Sequence, residues 1–495
     1  MQSRATLLEH VADRVQRSPE APAFVTAKER PTTYSALWSQ VREAAGALMA
    51  CGIRRGDRVA LIASPSTSFP VCYLATHMLG AIAVPVDPKM PAARVRWIAD
   101  QADAKLILVE AAQSDDSREL AFDRLLTAAS TPTTLTFPRP DELADMLFTT
   151  GSTGEPKGVM LSHRAILAAA RNINLFIGNR HDDVEVVPLP LSHSFGLGRM
   201  RCNLLAGGTL VLVGGFSFPG VLFKAIEENA ATGLASAPAG LEILLKVGGD
   251  RLARYARQLR YVEIGSAPMA ETSRLRLMHL LPATRICMHY GLTEASRCAF
   301  IEFHADSAHL DSIGRPSPNV DLAIWDDRGN EVAAGITGRI MVKGAMASEG
   351  YWNNAAATEA AFFGEWLYTG DYGHRDGDGY FYLDAREKEL INVGGRKVSP
   401  NEVEAEIQKF EGIDACACIG IADPAGITGE TVWACLVTSR GIDEAALVEA
   451  LRQTLEPYKV PTNFLYIEAI PKTESGKILR LELKHQITET LSAVE

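Results

Sequence analysis

Residues 148–165 read FTTGSTGEPKGVMLSHRA, and the fold of the whole chain turns on this stretch. Thr149, Thr150, Ser152 and Thr153 surround Gly151 and Gly154, and Lys157 follows Pro156. Glycines let backbone N–H groups approach an anion, hydroxyls add donors, and lysine adds a point charge. Those are the parts of a phosphate cradle. A flexible surface loop has the same composition, since Gly, Ser and Thr are common turn residues. Neither G-x-x-x-x-G-K-[ST] nor G-x-G-x-x-G fits these positions, so the two best-known phosphate fingerprints are excluded.

The surrounding chain has 495 residues, too many for one compact core, so two or more domains are expected. Hydrophobic residues at 47% and charged residues at 22% place it with ordinary globular proteins. A net charge of -11 argues against nucleic acid or an anionic membrane as partner. Among eight cysteines, Cys416 and Cys418 share one face of a strand, yet no second pair completes a zinc spacing. A buried strand in a reducing cytoplasm is the simpler reading. The N-terminal MQSRATLLEHVADRVQRSPE mixes charges into an amphipathic helix rather than a signal peptide. Leu204–Phe223 carries no charge, but its five glycines and Pro219 break it into a short strand and loops, so no membrane span is expected.

Along the chain, β-branched runs (DRVALIAS, AKLILVE, TLVLVGG, LRYVEIG) alternate with helical patterns (ALWSQVREAAGALMACG, FPGVLFKAIEENA). That alternation predicts α/β layers with largely parallel sheets. After about Ile313 short strands and turns take over. Near Lys388 the texture changes again, to a small α+β unit. Its first helix should start at VSPNEVEAEIQKF, with Ser399 as N-cap, Pro400 in the first helical position and Glu402 closing a capping box.

TTGSTGEPKGV resembles the phosphate loop of the adenylate-forming (AMP-binding) superfamily, which includes acyl- and aryl-CoA synthetases, luciferases and peptide-synthetase adenylation domains. Its further motifs follow in order: PLPLSHSFGLG from Pro188, GSAPM from Gly265, HYGLTEAS from His289, IGRP from Ile313, YTGDYG from Tyr368, AREKELINVGGRKVSPNEVE from Ala385 and PKTESGKILR from Pro471. The resemblance covers nearly the whole chain. It implies a large α/β N-terminal domain of the luciferase-like adenylate-forming fold, residues 1–387. A small mobile α+β domain, residues 388–495, would carry the catalytic lysine. It also implies a two-step reaction. A carboxylate attacks the α-phosphate of ATP with help from Mg²⁺, giving acyl-adenylate and pyrophosphate, and a thiol then displaces AMP.

By the same resemblance, Thr149, Thr150, Gly151, Ser152, Thr153, Gly154 and Lys157 would hold the β- and γ-phosphates. Gly265, Ser266 and Ala267 would flank the adenine, and Tyr290 and Gly291 would lie against it. Thr293 would bond the α-phosphate and Glu294 would help hold Mg²⁺. Asp371 would take the ribose hydroxyls, supported by Arg386, and Lys477 would be the mobile catalytic lysine. His193 falls where many acyl-CoA synthetases carry a histidine beside the carboxylate. Lys388 would be the hinge, while Gly394 and Gly395 would leave room for a pantetheine thiol. Ala385 and Thr150 depart slightly from the pattern, where Gly and Ser are usual.

The acid is less constrained. After His193 the chain reads Ser194, Phe195, Gly196, Leu197, without the aspartate that amino-acid-activating domains place there. A fatty, aryl or other non-amino acid is therefore expected, with Phe195 and Gly265 in an apolar pocket. Arg297 either clamps a second carboxylate of a dicarboxylic acid or serves as an ion-pair partner, the commoner role. Coenzyme A is the expected acceptor, with Arg396 and Lys397 near its phosphates. A phosphopantetheinyl acyl or peptidyl carrier protein acting in trans is the alternative, since no carrier domain follows Glu495. A luciferase-like oxygenase and a non-catalytic nucleotide sensor are further alternatives, the last disfavoured by the intact Lys477 motif.

Overall fold

The computed structural model describes residues 5–26, 30–111, 116–128, 137–149, 156–215, 219–386, 389–394, 396–423, 429–472 and 478–492. The chain divides into two compact units, Met1–Leu322 with Val342–Leu367 and Ala323–Met341 with Tyr368–Glu495.

In the first unit, one sheet runs in the order Glu119–Ala121, Ala104–Val109, Arg58–Ile62, Ile82–Val86, Leu143–Thr149, Lys157–Ser162. Its pairings are parallel except for the last two strands, which form an antiparallel hairpin. A second sheet has Pro22–Thr26, Thr209–Leu212, Val184–Val187, Gly233–Ser236, Tyr261–Ile264 and Arg285–Leu292 in parallel succession. Ala295–Glu302 then turns back antiparallel to Arg285–Leu292. Ile82–Val86 is buried at every residue, which accounts for unbroken apolar runs where an alternating pattern would mark a half-exposed strand.

One apolar cluster draws on both sheets through the helices Tyr34–Ala50, Ser68–Met78 and Ser194–Ala206, joining Leu61 and Val84 of the first sheet to Phe24 and Leu210 of the second. The helices Pro219–Glu228, Pro238–Gly248 and Glu271–Leu280 cover the other face of the second sheet, where Leu222, Leu241 and Leu277 join Val186 and Val262. The uncharged stretch from Leu204 contains the strand Thr209–Leu212 and the start of the expected helix at Pro219, and in addition the end of the helix Ser194–Ala206, where the sequence pattern predicts a loop. Among the described residues no helix is long and apolar enough to cross a membrane.

The second unit holds a sheet of Ile413–Ala422, Glu430–Thr438 and Asn463–Tyr466. Its period of two separates the faces. Cys416, Cys418 and Leu436 pack on Val403 and Ile407 of helix Pro400–Ile407 and on Leu447 of helix Glu444–Thr454. Ala417, Ile419 and Cys435 meet Leu483 and Ile487 of helix Arg480–Ser492. None of the eight cysteines is in a disulfide; Cys51 is exposed and the other seven are buried. Ser399 caps its helix by accepting from the Glu402 N–H, with Pro400 behind it. The expected capping box does not close. Glu402 instead pairs with the Lys459 ammonium at 2.7 Å, a charged partner that a backbone N–H cannot match.

Asp145, on the hairpin strand Leu143–Thr149, is fully buried with a set of polar partners. Tyr73 donates to its Oδ2 at 3.0 Å, His77 Nε2 lies 3.0 Å from Oδ1, and Arg201 pairs with it directly. The ring of His163 stands edge-on to His77 at 4.9 Å. Burial, reinforced by His77, lowers the His163 pKa from 6.5 to about 3. Between those values the unfolded chain binds a proton that the folded chain refuses, so stability falls as pH drops through that window. The slope is about 1.4 kcal/mol per pH unit, or about 2 kcal/mol between pH 6.5 and about pH 5. Urea unfolding as a function of pH should show this limb, and His163→Gln should flatten it.

Candidate functional site

Thr149 and Lys157 face each other across the open end of the hairpin, one on either side of the loop between them. Thr150, Gly151, Ser152, Thr153 and Gly154 lie outside the described residues. Lys157 Nζ stands 5.0 Å from the centre of the Tyr351 ring, within cation–π range. The Tyr351 hydroxyl donates to Glu294 Oε1 at 2.7 Å. Burial, with the Glu294 charge beside it, pushes the phenol well above its ordinary pKa and keeps it a donor. The segment carrying Tyr351 is tied to the hairpin by Met160 N–H to Gly350 O at 3.0 Å, Glu349 N–H to Met160 O at 2.9 Å and Trp352 N–H to Gly158 O at 2.8 Å. It also bridges to the Glu294 turn through Ala295 and Ala347.

Thr293 and Glu294 form the turn between Arg285–Leu292 and Ala295–Glu302, closed by the pair Leu292 and Ala295. Tyr290 sits opposite Ala299. A Cβ at Gly291 would lie 2.5 Å from Arg297 N, so only glycine fits where the strands close. One hairpin thus presents Tyr290, Thr293 and Glu294 from a single tip. A half-exposed carboxylate next to hydroxyls is the all-oxygen donor chemistry that a hard divalent cation takes, so Glu294 fits Mg²⁺.

Gly265 follows the strand Tyr261–Ile264, and a Cβ there would lie 2.0 Å from His289 Cε1. Ser266 adopts φ +79°, a strained backbone for a residue with a side chain, of the kind that gathers at binding sites. Behind the strip lies Glu263, with no exposure. His289 Nδ1 approaches Glu263 at 2.9 Å, Arg297 Nε at 3.1 Å and Arg199 Nη1 at 2.9 Å. Arg199 also grips Glu185 with two contacts of 2.7 Å. Burial alone would raise the Glu263 pKa; the Arg297 and Arg199 guanidiniums outweigh it and hold the group ionised. Burial, aided by Arg297, lowers the His289 pKa, so this imidazole is neutral.

The structure places Arg297 in this cluster. Its Nη1 and Nη2 donate to the Ser194 and Phe195 carbonyls, both at 3.1 Å, and φ is +54°. Phe195 is buried, its ring 4.6 Å from His289 and 4.9 Å from the Arg297 guanidinium. His193 precedes the helix Ser194–Ala206; its side chain is 65% exposed and its Nε2 lies 3.4 Å from Asp87 Oδ2. That contact lowers the Asp87 pKa. Phe195, Gly265 and Arg297 therefore come together, with His193 at the exposed end.

In the second unit, Asp371 and Arg386 are cross-strand neighbours, with Arg386 Nε 3.4 Å from Asp371 Oδ1. Asp371 is buried and Arg386 half-exposed. Gly394 sits at φ +60° in the turn closed by Val393 and Arg396, with open space where a Cβ would point. Arg396 lies over the Tyr458 ring at 4.8 Å. Lys388, Gly395 and Lys477 lie outside the described residues. Just beyond Lys477, Arg480 is anchored to Glu404, to Glu389 at 3.0 Å and to Asn401 at 2.7 Å.

Sequence reasoning did not single out Tyr351, His289, or Gly196 and Gly198. A Cβ at Gly196 would lie 2.3 Å from Pro190 O, and one at Gly198 2.5 Å from Arg297 Nη1. Paired glycines inside a helix, each disfavoured there by about 1 kcal/mol, are the signal that could have marked this close approach. Tyr351 carries no such mark, because its role depends on strands distant in sequence.

The family model for AMP-binding enzymes matches residues 11–352, and that for the AMP-binding enzyme C-terminal domain matches residues 402–477. The chain belongs to the AMP-binding enzyme family. It is 31% identical to a feruloyl-CoA synthase of Amycolatopsis sp, over 96% of this chain and 97% of that enzyme. It is 30% identical to a long-chain fatty-acid–CoA ligase of Mycobacterium tuberculosis, over 97% of this chain and 98% of the ligase. Its structure is similar to o-succinylbenzoate CoA synthetase from Bacillus subtilis in complex with its acyl-adenylate intermediate, with a TM-score of 0.86 at 25% identity over 96% of this chain and 97% of that one. ATP-bound MatB from Rhodopseudomonas palustris gives 0.88 at 26% identity, over 99% of this chain and 100% of that one.

Arg297→Leu should take from Glu263 one of its buried partners and remove the side-chain donors to the Ser194 and Phe195 carbonyls. The expected cost is about 3–5 kcal/mol of stability, as for breaking a buried ion pair. Denaturant unfolding should register it, and turnover should fall for mono- and dicarboxylic acids alike. A clean switch of preference towards monocarboxylic acids would contradict the interior role.

Proposed function

We propose that this AMP-forming acyl- or aryl-CoA ligase activates a non-amino monocarboxylic acid and passes it to free coenzyme A. The observation that carries the choice of acid is Arg297. Its guanidinium is committed to Glu263 and to the Ser194 and Phe195 carbonyls, leaving no fork for a second carboxylate. The neutral, buried His289 and the buried Phe195 add no charge to the region behind Gly265.

In the first step the substrate carboxylate oxygen bonds to the α-phosphorus of ATP while the bond to the pyrophosphate oxygen breaks. Two anions must meet, so the residues work by offsetting charge. Lys157 and the hydroxyls of residues 149–153 take the β- and γ-phosphates, and Thr293 bonds the α-phosphate. Glu294 would hold Mg²⁺, which when bound would neutralise phosphate charge. Asp371 and Arg386 fix the ribose, Tyr290 and the 265–267 strip fix the adenine, and Lys477 bridges carboxylate and α-phosphate. His193, backed by Asp87, guards the carboxylate entrance. In the second step a thiolate sulfur attacks the acyl carbon, the acyl–oxygen bond breaks and AMP departs. Gly394 and Gly395 keep the thiol path open. We place the domain boundary at 387 and 388, with Lys388 as hinge, and the enzyme in the cytoplasm, where its eight cysteines, none of them in a disulfide, stay reduced.

A carboxylic-acid panel scored by pyrophosphate release, run with coenzyme A and then with a carrier protein, tests the reading. Aryl or fatty monocarboxylic acids with coenzyme A should give the highest kcat/KM; a dicarboxylic acid or a carrier protein in that place refutes it. Lys477→Ala should slow acyl-adenylate formation by two or more decades, on the order of 3 kcal/mol or more. Thioester formation from pre-made acyl-adenylate should be largely spared, and equal loss in both half-reactions would remove Lys477 from its role. Lys388→Pro fixes φ near −65° and restricts residue 387 as well. It should retain single-turnover adenylation but lose transfer to thiol steeply; transfer at the parent rate would move the hinge elsewhere.

A further inference from the structure

We propose that Tyr351 is a positioning residue for adenylation, an insulator that keeps Lys157 and Glu294 from neutralising each other and aims the Glu294 carboxylate. This rests on the reading of Glu294 as metal ligand and of Lys157 as phosphate ligand. A lysine and a glutamate brought to one site attract each other, and a direct pair would spend both charges. Here they meet through an aromatic ring. The ammonium lies 5.0 Å from the ring centre, and the phenol hydroxyl holds Glu294 Oε1 at 2.7 Å. Lys157 is thereby left as a donor to phosphate. Glu294 keeps its charge, with one lone pair of Oε1 taken by a neutral donor, as for hydrogen-bonded carboxylates that ligate metals.

The ring cannot easily swing aside. Gly350 turns at φ +107°, where a Cβ would lie 2.5 Å from Thr358 Cγ2, and the Tyr351 N–H donates to Thr358 Oγ1 at 3.0 Å. Val159, two residues beyond Lys157, forms a β-bridge with Tyr351 itself. The Ser348 N–H donates to the Glu294 carbonyl at 2.7 Å. The backbone therefore fixes Tyr351 against both of the groups that its side chain separates.

The test measures Mn²⁺ affinity of the enzyme with β,γ-methylene-ATP, by electron paramagnetic resonance, in parent and variants. Tyr351→Phe keeps the ring and loses the hydroxyl, and should weaken Mn²⁺ binding three- to tenfold. Half-saturating free Mg²⁺ in adenylation should rise by the same factor. Tyr351→Leu removes the insulator too, and should weaken Mn²⁺ further because Lys157 can then capture Glu294. In a Lys157→Met background that additional loss should vanish, since no cation remains to capture it. A persisting loss in that background overturns the insulating role. Glu294→Gln separates this proposal from the reading beneath it. Loss of Mn²⁺ affinity in Glu294→Gln with none in Tyr351→Phe overturns the tyrosine's role alone. No loss in either overturns the metal assignment and the proposal with it.

Discussion

Glu263 holds a negative charge where no solvent reaches, and Arg199, Arg297 and His289 are all drawn to it. A lone buried carboxylate would be costly, so the three partners are a condition for that strand to occupy the middle of the sheet. Each partner then shapes the backbone around it. His289 fills the space against which Gly265 must be bare, and Arg297 closes the strand pair where Gly291 must be bare. Arg297 also gathers the first carbonyls of the helix Ser194–Ala206. The segment from Gly265 to Ala267 is thus backed by charge rather than by hydrocarbon alone.

The site is assembled from two sheets that do not pair with one another. Lys157 sits on the last strand of one and Glu294 on a turn at the end of the other. The short segment 347–352 bonds to both, by backbone bridges at Ala295 and Val159. Each sheet is held by its own hydrogen-bond ladder, so the distance between Lys157 and Glu294 depends on this strap. Its left-handed glycine at 350 and its aromatic at 351 are therefore the positions that set how the two sheets meet here.

Much of this was legible beforehand because local chemistry and tertiary structure agree. Buried parallel strands wrote themselves as unbroken β-branched runs, and the Ser399–Pro400 helix start is a purely local arrangement. The ordered motifs drew attention to the 293–294 turn and to the cross-strand neighbours Asp371 and Arg386. What stayed hidden was pairing across distance. Glu402 favoured Lys459, remote in sequence, over the backbone N–H at its own helix start. Arg297 could be read two ways until Glu263 stood beside it. Tyr351 had no local signature, because its ring serves groups from two other segments.

The distribution of thiols has a consequence of its own. Cys51 ends the helix Tyr34–Ala50 at the surface, while the other seven lie in the interior of both units. A small thiol reagent therefore meets one ready target and seven that become available only when their surroundings open. Cys416, Cys418 and Cys435 lie in the sheet of the second unit, and Cys72, Cys202, Cys287 and Cys298 in the first. The chain carries its own labels for following, unit by unit, the opening of its interior.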